Sequence, residues 1–216
     1  VLHGVAAGKG IAIGHAHLIT RGTTEVPQYD IDPDKLDAEV ARFDNAIKAT
    51  RKELEQLRGA IPENAPTELG AFISLHLMLL TDVTLSREPI DILREQKINA
   101  EWALKQQSDK LAAQFDSIDD DYLRERKQDM LQVVRRIHNN LVGQSNEINL
   151  AGNLFDDTVL IAHDLSPADT VLFKEQHITA FVTDAGGPTS HTAILGRSLD
   201  IPSVIGLHLL ILYILH

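Results

Sequence analysis

The chain has 216 residues, a formal net charge of −11, 44% hydrophobic and 24% charged residues, and no cysteine. That length can bury the core of one large domain or two small ones, and the lack of thiols excludes disulfides, thiolate zinc sites and cysteine nucleophiles. The acidic balance argues against a nucleic-acid binder, which needs surplus Lys and Arg, and favours a basic partner or a small anion held by local geometry.

The opening "VLHGVAAGKG" has no long apolar core of the secretory kind, so a cytoplasmic location without a membrane segment is expected. Residues 10–19, "GIAIGHAHLI", alternate as a strand that places Ile11, Ile13, His15, His17 and Ile19 on one face. After the turn-rich "TRGTTEVPQYDIDPD" the period becomes helical from Asp32 to Gly143. Asp32-Pro33 reads as an N-cap with proline at the first helical position. Leu36, Val40, Phe43, Ile47, Leu54 and Leu57 form the first apolar stripe, which Gly59 ends. Thr67-Glu68 opens a second helix, Asp82 caps a third, Pro89 restarts the chain, and Asn99 precedes a fourth segment in which Trp102 reads as core. Asp119–Asp121 cap the last long helix, whose stripe is Leu123, Met130, Val134, Ile137 and Leu141, and His138 there reads as a solvated or capped bundle histidine. Short links between such helices predict an antiparallel bundle.

Beyond Gly143 the pattern changes to β-α-β-α-β. "TVLIAHD" (158–164) reads as a buried strand, and Ser166, Pro167 and Asp169 mark a helix start. "ITAFVTDAGG" reads as a strand entering a glycine turn, "SHTAILGRSL" as a helix, and "SVIG" as a short strand. The N-terminal strand lacks a local partner and pairs most economically with these strands. The expected organisation is therefore an α/β domain made of residues 1–31 and 144–216, with a helical subdomain, 32–143, inserted between them. The final "LHLLILYILH" (207–216) is apolar but too short to span a bilayer.

The chemistry concentrates in "DAGGPTSHTAILGRS" (184–198). Gly186-Gly187 permits backbone shapes closed to other residues, and Thr189 or Ser190 can cap the following helix. His191 then falls in the first turn, where free N–H groups and the helix dipole favour negative charge and disfavour an imidazolium. A neutral imidazole is nucleophilic. If it accepts a phosphoryl group, the turn amides, with Gly187 in that turn, and the hydroxyls of Thr189, Ser190 and Thr192 can stabilise the anion. Local chemistry alone leaves His191 open as nucleophile, metal ligand or bystander to a good helix entry.

"TDAGGPTSHTAILGRSLDIPSVIG" resembles the phosphohistidine signature of Enzyme I of the bacterial phosphoenolpyruvate:sugar phosphotransferase system. "GKGIAIGHA", "LMLLTD", "DDDYLRER" and "DLSPADT" extend the likeness over nearly the whole chain. The resemblance implies a swivelling phosphohistidine α/β domain with an inserted antiparallel α-helical bundle subdomain, and a phosphotransferase activity. It implies that His191 is phosphorylated through Nε2, with Thr170 near it and Arg197 able to help neutralise the phosphate. It implies transfer to the histidine phosphocarrier protein HPr, docked on Glu68, Phe72, His76, Met78, Leu79, Asp82 and Arg126. Four successive apolar residues, Leu77 to Leu80, cannot all face inward; Leu77 and Leu80 are expected in the core, leaving Met78 and Leu79 for the partner. Pro188 stands where the family often has arginine, and Gly196 replaces the usual alanine, at a helix cost of about 0.8–1 kcal/mol.

In the family the chain continues into a barrel that binds phosphoenolpyruvate and Mg2+ and forms the dimer. Residues 207–216 lack the turn and acidic residues expected there, so a truncated chain or an incompletely recorded tail is expected. The resemblance implies that such a piece would be a monomer without a cofactor that exchanges phosphoryl groups with HPr and needs the missing barrel to use phosphoenolpyruvate, and that the full-length protein would be a homodimer. The rivals are a metal enzyme built on His15, His17 and His163-Asp164, a scaffold that only binds a partner, and relatives with a similar swivelling domain. Those relatives are pyruvate phosphate dikinase, phosphoenolpyruvate synthase and the nitrogen-regulatory paralogue of Enzyme I. "GVAAGKG" lacks the spacing of a nucleotide-binding loop.

Overall fold

The computed structural model of the chain describes residues 3–19, 26–61, 65, 67–118, 120–144, 157–166, 169, 173, 178–187, 190–198 and 200–208. The chain divides into two compact units, Val1–Thr23, Ala60–Phe72 and Glu147–His216 in one, Thr24–Gly59 and Ile73–Asn146 in the other. Residues 60–72, which the periodicity assigns to the helical insert, thus group with the first unit.

The first unit contains five strands: β1 (Val5–Gly8), β2 (His15–Ile19), β3 (Thr158–Ala162), β4 (Ile178–Thr183) and β5 (Ser203–Ile205). They form one sheet in the order β1-β5-β4-β3-β2. β2 to β5 run parallel, and β1 runs antiparallel to β5. His15 pairs with Thr158 and Ile19 with Ala162, so the two ends of the chain do build one α/β sheet. The last helix, α7 (His191–Ser198), lies against this sheet, with Ala193 fully buried among Leu160, Leu165, Phe173, Phe181, Ile201 and Ile205. The rings of Phe173 and Phe181 meet at 5.8 Å, tilted by 52°.

The opening strand departs from the sequence reading. Two short strands stand at opposite edges of the sheet in place of one over 10–19. Gly8 lies opposite Ser203, the first residue of β5, and His15 opposite Thr158, the first of β3. Residues 9–14 therefore cross the starts of β5, β4 and β3. Four strand spacings of about 4.8 Å make ~19 Å, and seven residue steps reach ~23 Å when extended. The strap is nearly taut and follows no neighbouring strand, which leaves Ile11 and Ile13 at 93% and 87% exposure.

In the second unit a short 3-10 turn (Pro33–Lys35) leads into α1 (Leu36–Gly59). It is followed by α2 (Thr67–Leu79), within which the division between the units falls, then α3 (Val83–Ser86), α4 (Glu88–Gln96), α5 (Ala100–Asp116) and α6 (Asp121–Leu141). Phe43 and Leu54 of the first predicted stripe are buried, with Ala46 and Thr50 between them; Met130, Ile137 and Leu141 of the last stripe are buried beside Val133. Asp82 caps α3 as expected, accepting from the Thr84 N–H at 2.9 Å, and Pro89 sits at the start of α4. Asp32 flanks Pro33 but makes no side-chain cap; its carboxylate takes the Lys35 ammonium at 3.0 Å instead. Trp102 is half-buried under the Lys105 ammonium, 5.3 Å from the ring centre.

Arg42 ties the helices of this unit together. Its guanidinium forks onto Glu101 of α5 at 2.6 and 2.7 Å, onto Glu39 one turn earlier at 2.5 and 3.0 Å, and onto the Leu141 carbonyl at the end of α6 at 3.1 Å. Asn99 donates to Glu101 at 2.9 Å and to the Pro27 carbonyl, and accepts the Tyr29 N–H. Burial pushes the Glu101 carboxyl up, but the hydrogen bonds from Arg42 and Asn99 outweigh it and hold the group below its ordinary value. A depressed carboxylate contributes stability that is fully present above its unfolded value, 4.5 for Glu, and that disappears as the pH falls through the folded value. Arg42→Met should cost about 3 kcal/mol near neutrality, the lower end for breaking a buried pair, because a third of the Arg42 side chain stays in water. Denaturant melts at pH 7 and below pH 4.5 should show this deficit shrinking as Glu101 takes up a proton. A deficit independent of pH would refute the account.

Candidate functional site

The C-terminal ends of β3 and β4 are stitched together beyond the strands. Asp184 N–H donates to the Ala162 carbonyl at 3.2 Å and Ala185 N–H to the His163 carbonyl at 2.8 Å. The Thr183 hydroxyl donates to the Ala185 carbonyl at 2.7 Å. The chain then turns through Gly186, whose φ of +107° suits glycine and few other residues. Ser190 caps α7: its Oγ accepts the Ala193 N–H at 3.2 Å and its carbonyl the Ile194 N–H at 3.0 Å. His191 is consequently the first residue of the helix. It stands at the carboxyl end of the parallel strands, where open α/β sheets hold ligands, and at a helix N-terminus, where N–H groups and the dipole favour an anion by about 0.3–1 kcal/mol.

The loop after β3 is also fixed. Asp164 Oδ1 accepts the Leu165 N–H at 2.9 Å, and the predicted Ser166–Asp169 capping box is formed. Asp169 Oδ2 accepts both the Ser166 N–H and its hydroxyl at 2.7 Å, and Ser166 Oγ accepts the Asp169 N–H at 3.3 Å. Thr170, Pro188, Thr189 and the side chain of His191 lie outside the described residues. Gly187 is half-buried, and a Cβ there would meet open space. Thr192, expected to offer its hydroxyl to a phosphate, is 3% exposed and donates to the Leu165 carbonyl at 2.9 Å. Arg197 is exposed in the last turn of α7, six residues from His191 and about 9 Å of helix rise away.

Among the residues expected at a docking face, Met78 is 62% exposed, Glu68 and Asp82 are exposed, Leu79 is half-buried and Arg126 is partly exposed. Leu80 is core and Leu77 half-buried. Phe72 and His76 are inside, at 4% and 0% exposure, and so present no side-chain surface to a partner. The Thr84 hydroxyl and N–H, donating at 2.7 and 2.9 Å, hold the Asp82 carboxyl below its ordinary value and keep it charged. His76 Nε2 lies 4.0 Å from Asp129 Oδ1, and Arg126 reaches the other oxygen of that carboxylate at 3.2 Å. Asp129, 1% exposed, escaped the sequence reading; its spacing of three from Arg126 on a helix was the available signal.

The histidine-pair metal site does not assemble. His15 bonds Asp157 at 3.1 Å at the start of the β2–β3 pair, whereas His163 follows the far end of β3. Among the described residues no group of three His, Asp or Glu converges as metal ligands. Among them, too, no single helix is long and apolar enough to cross a membrane.

Two family models match successive parts of the chain. Residues 3–126 match the model of the PEP-utilising enzyme N-terminal domain, and residues 154–212 that of the PEP-utilising enzyme mobile domain. The chain belongs to the PEP-utilising enzyme family. Within that family it is similar to the N-terminal part of Enzyme I. It is 45% identical over 212 residues to the phosphoenolpyruvate-protein phosphotransferase of Cupriavidus necator, covering 95% of this chain and 36% of that protein. It is 36% identical over 209 residues to that of Bacillus subtilis, covering 95% and 35%. The chain thus spans about a third of the length of these curated relatives. An NMR solution structure of Enzyme I matches with a TM-score of 0.76 at 37% identity, over 96% of this chain and 83% of that one. An N-terminal domain of the nitrogen Enzyme 1 matches with a TM-score of 0.64 at 25% identity, over 95% and 83%.

Gly196, read from the sequence as a weakness in α7, has a packing reason. A Cβ there would fall 2.3 Å from Ser203 Oγ and 3.2 Å from the Phe181 ring. Ser203 is 4% exposed, and its Oγ has no hydrogen-bond partner among the described residues. Ser203→Ala should therefore raise stability by about 1 kcal/mol, since an unsatisfied buried hydroxyl is removed. Gly196→Ala alone should destabilise, and in the Ser203→Ala background it should lose less or gain, with a coupling energy of at least about 1 kcal/mol. Thermal melts of the four proteins in this cycle test it, and strict additivity would contradict the contact.

Proposed function

We propose that this chain is the phosphocarrier part of a phosphoenolpyruvate-protein phosphotransferase, in which His191 takes a phosphoryl group on Nε2 and passes it to a histidine of HPr. The observation that supports this most is the position of His191 at the capped N-terminus of α7, entered through the Gly186 turn at the carboxyl ends of the strands. In the transfer, the HPr histidine nitrogen bonds to phosphorus as the N–P bond of His191 breaks, and the departing imidazole keeps the electron pair. Such a step asks the protein chiefly for in-line positioning and charge stabilisation. The first-turn N–H groups of α7 and the Ser190 turn supply the second.

On this reading the phosphoenolpyruvate and Mg2+ sites belong to a barrel in the remaining length of the longer relatives, which would also carry dimerisation. Thr170, Gly187, Thr189 and Ser190 would surround the phosphoryl group, with Arg197 adding positive charge from the far end of α7. HPr would dock on exposed Met78 and Asp82, with Leu79, Arg126 and Glu68 contributing. Phe72 and His76, being buried, would shape that surface from within. The sugar branch is favoured over the nitrogen branch by the higher identity and TM-score of the former match.

Incubation with phosphorylated HPr should place one acid-labile, base-stable phosphate on His191, located by mass spectrometry. His191→Ala should abolish the label with circular dichroism unchanged. Phosphoenolpyruvate and Mg2+ without HPr should give no label on this chain. Label on another residue, or none from a competent donor, would sink the proposal. Met78→Ala should weaken HPr binding more than about fivefold, as for a central apolar contact worth over ~1 kcal/mol, when measured by calorimetry. An unchanged Kd would remove Met78 from the interface.

A further inference from the structure

We infer that Thr192 is a positioning residue for the proposed phosphohistidine: its hydroxyl clasps the first turn of α7 to the loop after β3 and so fixes where His191 stands. The inference rests on the reading of His191 as the phosphorylated residue. It assigns Thr192 a role other than phosphate binding.

Thr192 follows His191 directly, as the second residue of α7. Its side chain is buried, and its single O–H donor is spent on the Leu165 carbonyl at 2.9 Å. Leu165 is held at both ends of its backbone, because Asp164 Oδ1 takes its N–H while Thr192 takes its carbonyl. The Ser166–Asp169 box immediately afterwards is buried and closed on itself. The loop is thus a fixed anchor. Among the described residues, two backbone bonds, Asp184 N–H to the Ala162 carbonyl and Ala185 N–H to the His163 carbonyl, join the two segments at the ends of β3 and β4, and the Thr192 hydroxyl adds a side-chain bond from the first turn of α7 to the loop after β3. Replacement by Val keeps the shape of Thr192 but strands the Leu165 carbonyl without its donor. α7 can then shift against the loop, and His191 shifts with it. In-line phosphoryl transfer is sensitive to such displacements.

The test is transfer from phosphorylated HPr, followed under single-turnover conditions in the wild-type chain and in Thr192→Val, Thr192→Ser and Thr192→Ala. Thr192→Val should lower the limiting rate roughly tenfold, the size of one hydrogen bond's contribution, with the concentration dependence on HPr unchanged because Thr192 is buried. Thr192→Ser, which keeps the hydroxyl, should restore the rate to within about twofold. If the Val variant does not fold, the Ala and Ser pair decides the same question. Thr50→Val, which removes a buried hydroxyl bonded at 2.8 Å to the Ala46 carbonyl in the other unit, should leave the rate unchanged. Slowing by Thr50→Val to the same extent would reduce the effect to general destabilisation and overturn the inference. The Leu165 carbonyl 13C shift should be the same before and after phosphorylation. If it moves on phosphorylation to the value found in Thr192→Val, the hydroxyl has swung to the phosphate and the positioning role is wrong. A wild-type chain that takes no label overturns both readings, whereas a labelled wild type with Thr192→Val at the wild-type rate overturns this one alone.

Discussion

The register of β2 on β3 is the constraint from which the rest of the first unit follows. It joins His15–Ile19 to Thr158–Ala162 across an entire helical unit, and parallel pairing of this kind always requires a crossover segment. Here the crossover is most of the chain. The entropy of closing so long a loop grows only logarithmically with its length, and it falls further when the intervening chain packs on its own core, as the Arg42 fork and the buried Phe43–Leu54 stripe provide. With β2 on one side and β4 on the other, β3 becomes an interior strand, and Thr158, Leu160, Ile161 and Ala162 are all buried. An interior β3 in turn holds its C-terminal loop beside that of β4, which is where His191 begins its helix.

Electrostatics work on two scales in this protein. The net charge of −11 should repel a phosphoryl anion at long range, yet at physiological ionic strength charges beyond about 8 Å are largely screened. Local donors therefore decide whether an anion is tolerated, and the capped start of α7 offers them. The same acidic surface suits a basic partner, whose approach a favourable field would speed. In the helical unit the charges serve a different end. Arg42 is satisfied by two carboxylates and a carbonyl at once, so its contribution is to fix helix positions at a cost in desolvation that its partners offset.

What could be read in the sequence was what depends on neighbours close along the chain. The Ser166–Asp169 box, the Asp82 cap, the restart at Pro89, the helix entry at Ser190 and the exposure of Met78 beside core Leu80 are all one-turn effects, and all are present. The failures share a cause too. Ile11 and Ile13 alternate like a strand, but their environment is set by β1 and β2 lying at opposite edges of the sheet. His76 looks like a surface histidine on its helix, but Asp129, more than fifty positions later, gives it a polar neighbour inside. Thr192 looks like a phosphate ligand until the Leu165 carbonyl is seen to accept its hydrogen bond. Gly196 looks like a flaw until Ser203 and Phe181 occupy the space of its missing methyl.

These last two residues bear on one problem. α7 has only eight residues, too few to be stable alone, since helix nucleation is unfavourable and short helices need tertiary support. Its first turn is held by the Ser190 cap and the Thr192 clasp, and its second half lies close on β4 and β5 because Gly196 has no side chain. Ala193, with no exposure at all, fills the contact between those two anchorages. A helix pinned at both ends against an interior part of a sheet has little freedom to tilt. His191, the first residue of that helix, therefore has a fixed backbone position. A fixed backbone there suits the proposed phosphohistidine, because in-line transfer requires the reacting group to start from a defined position.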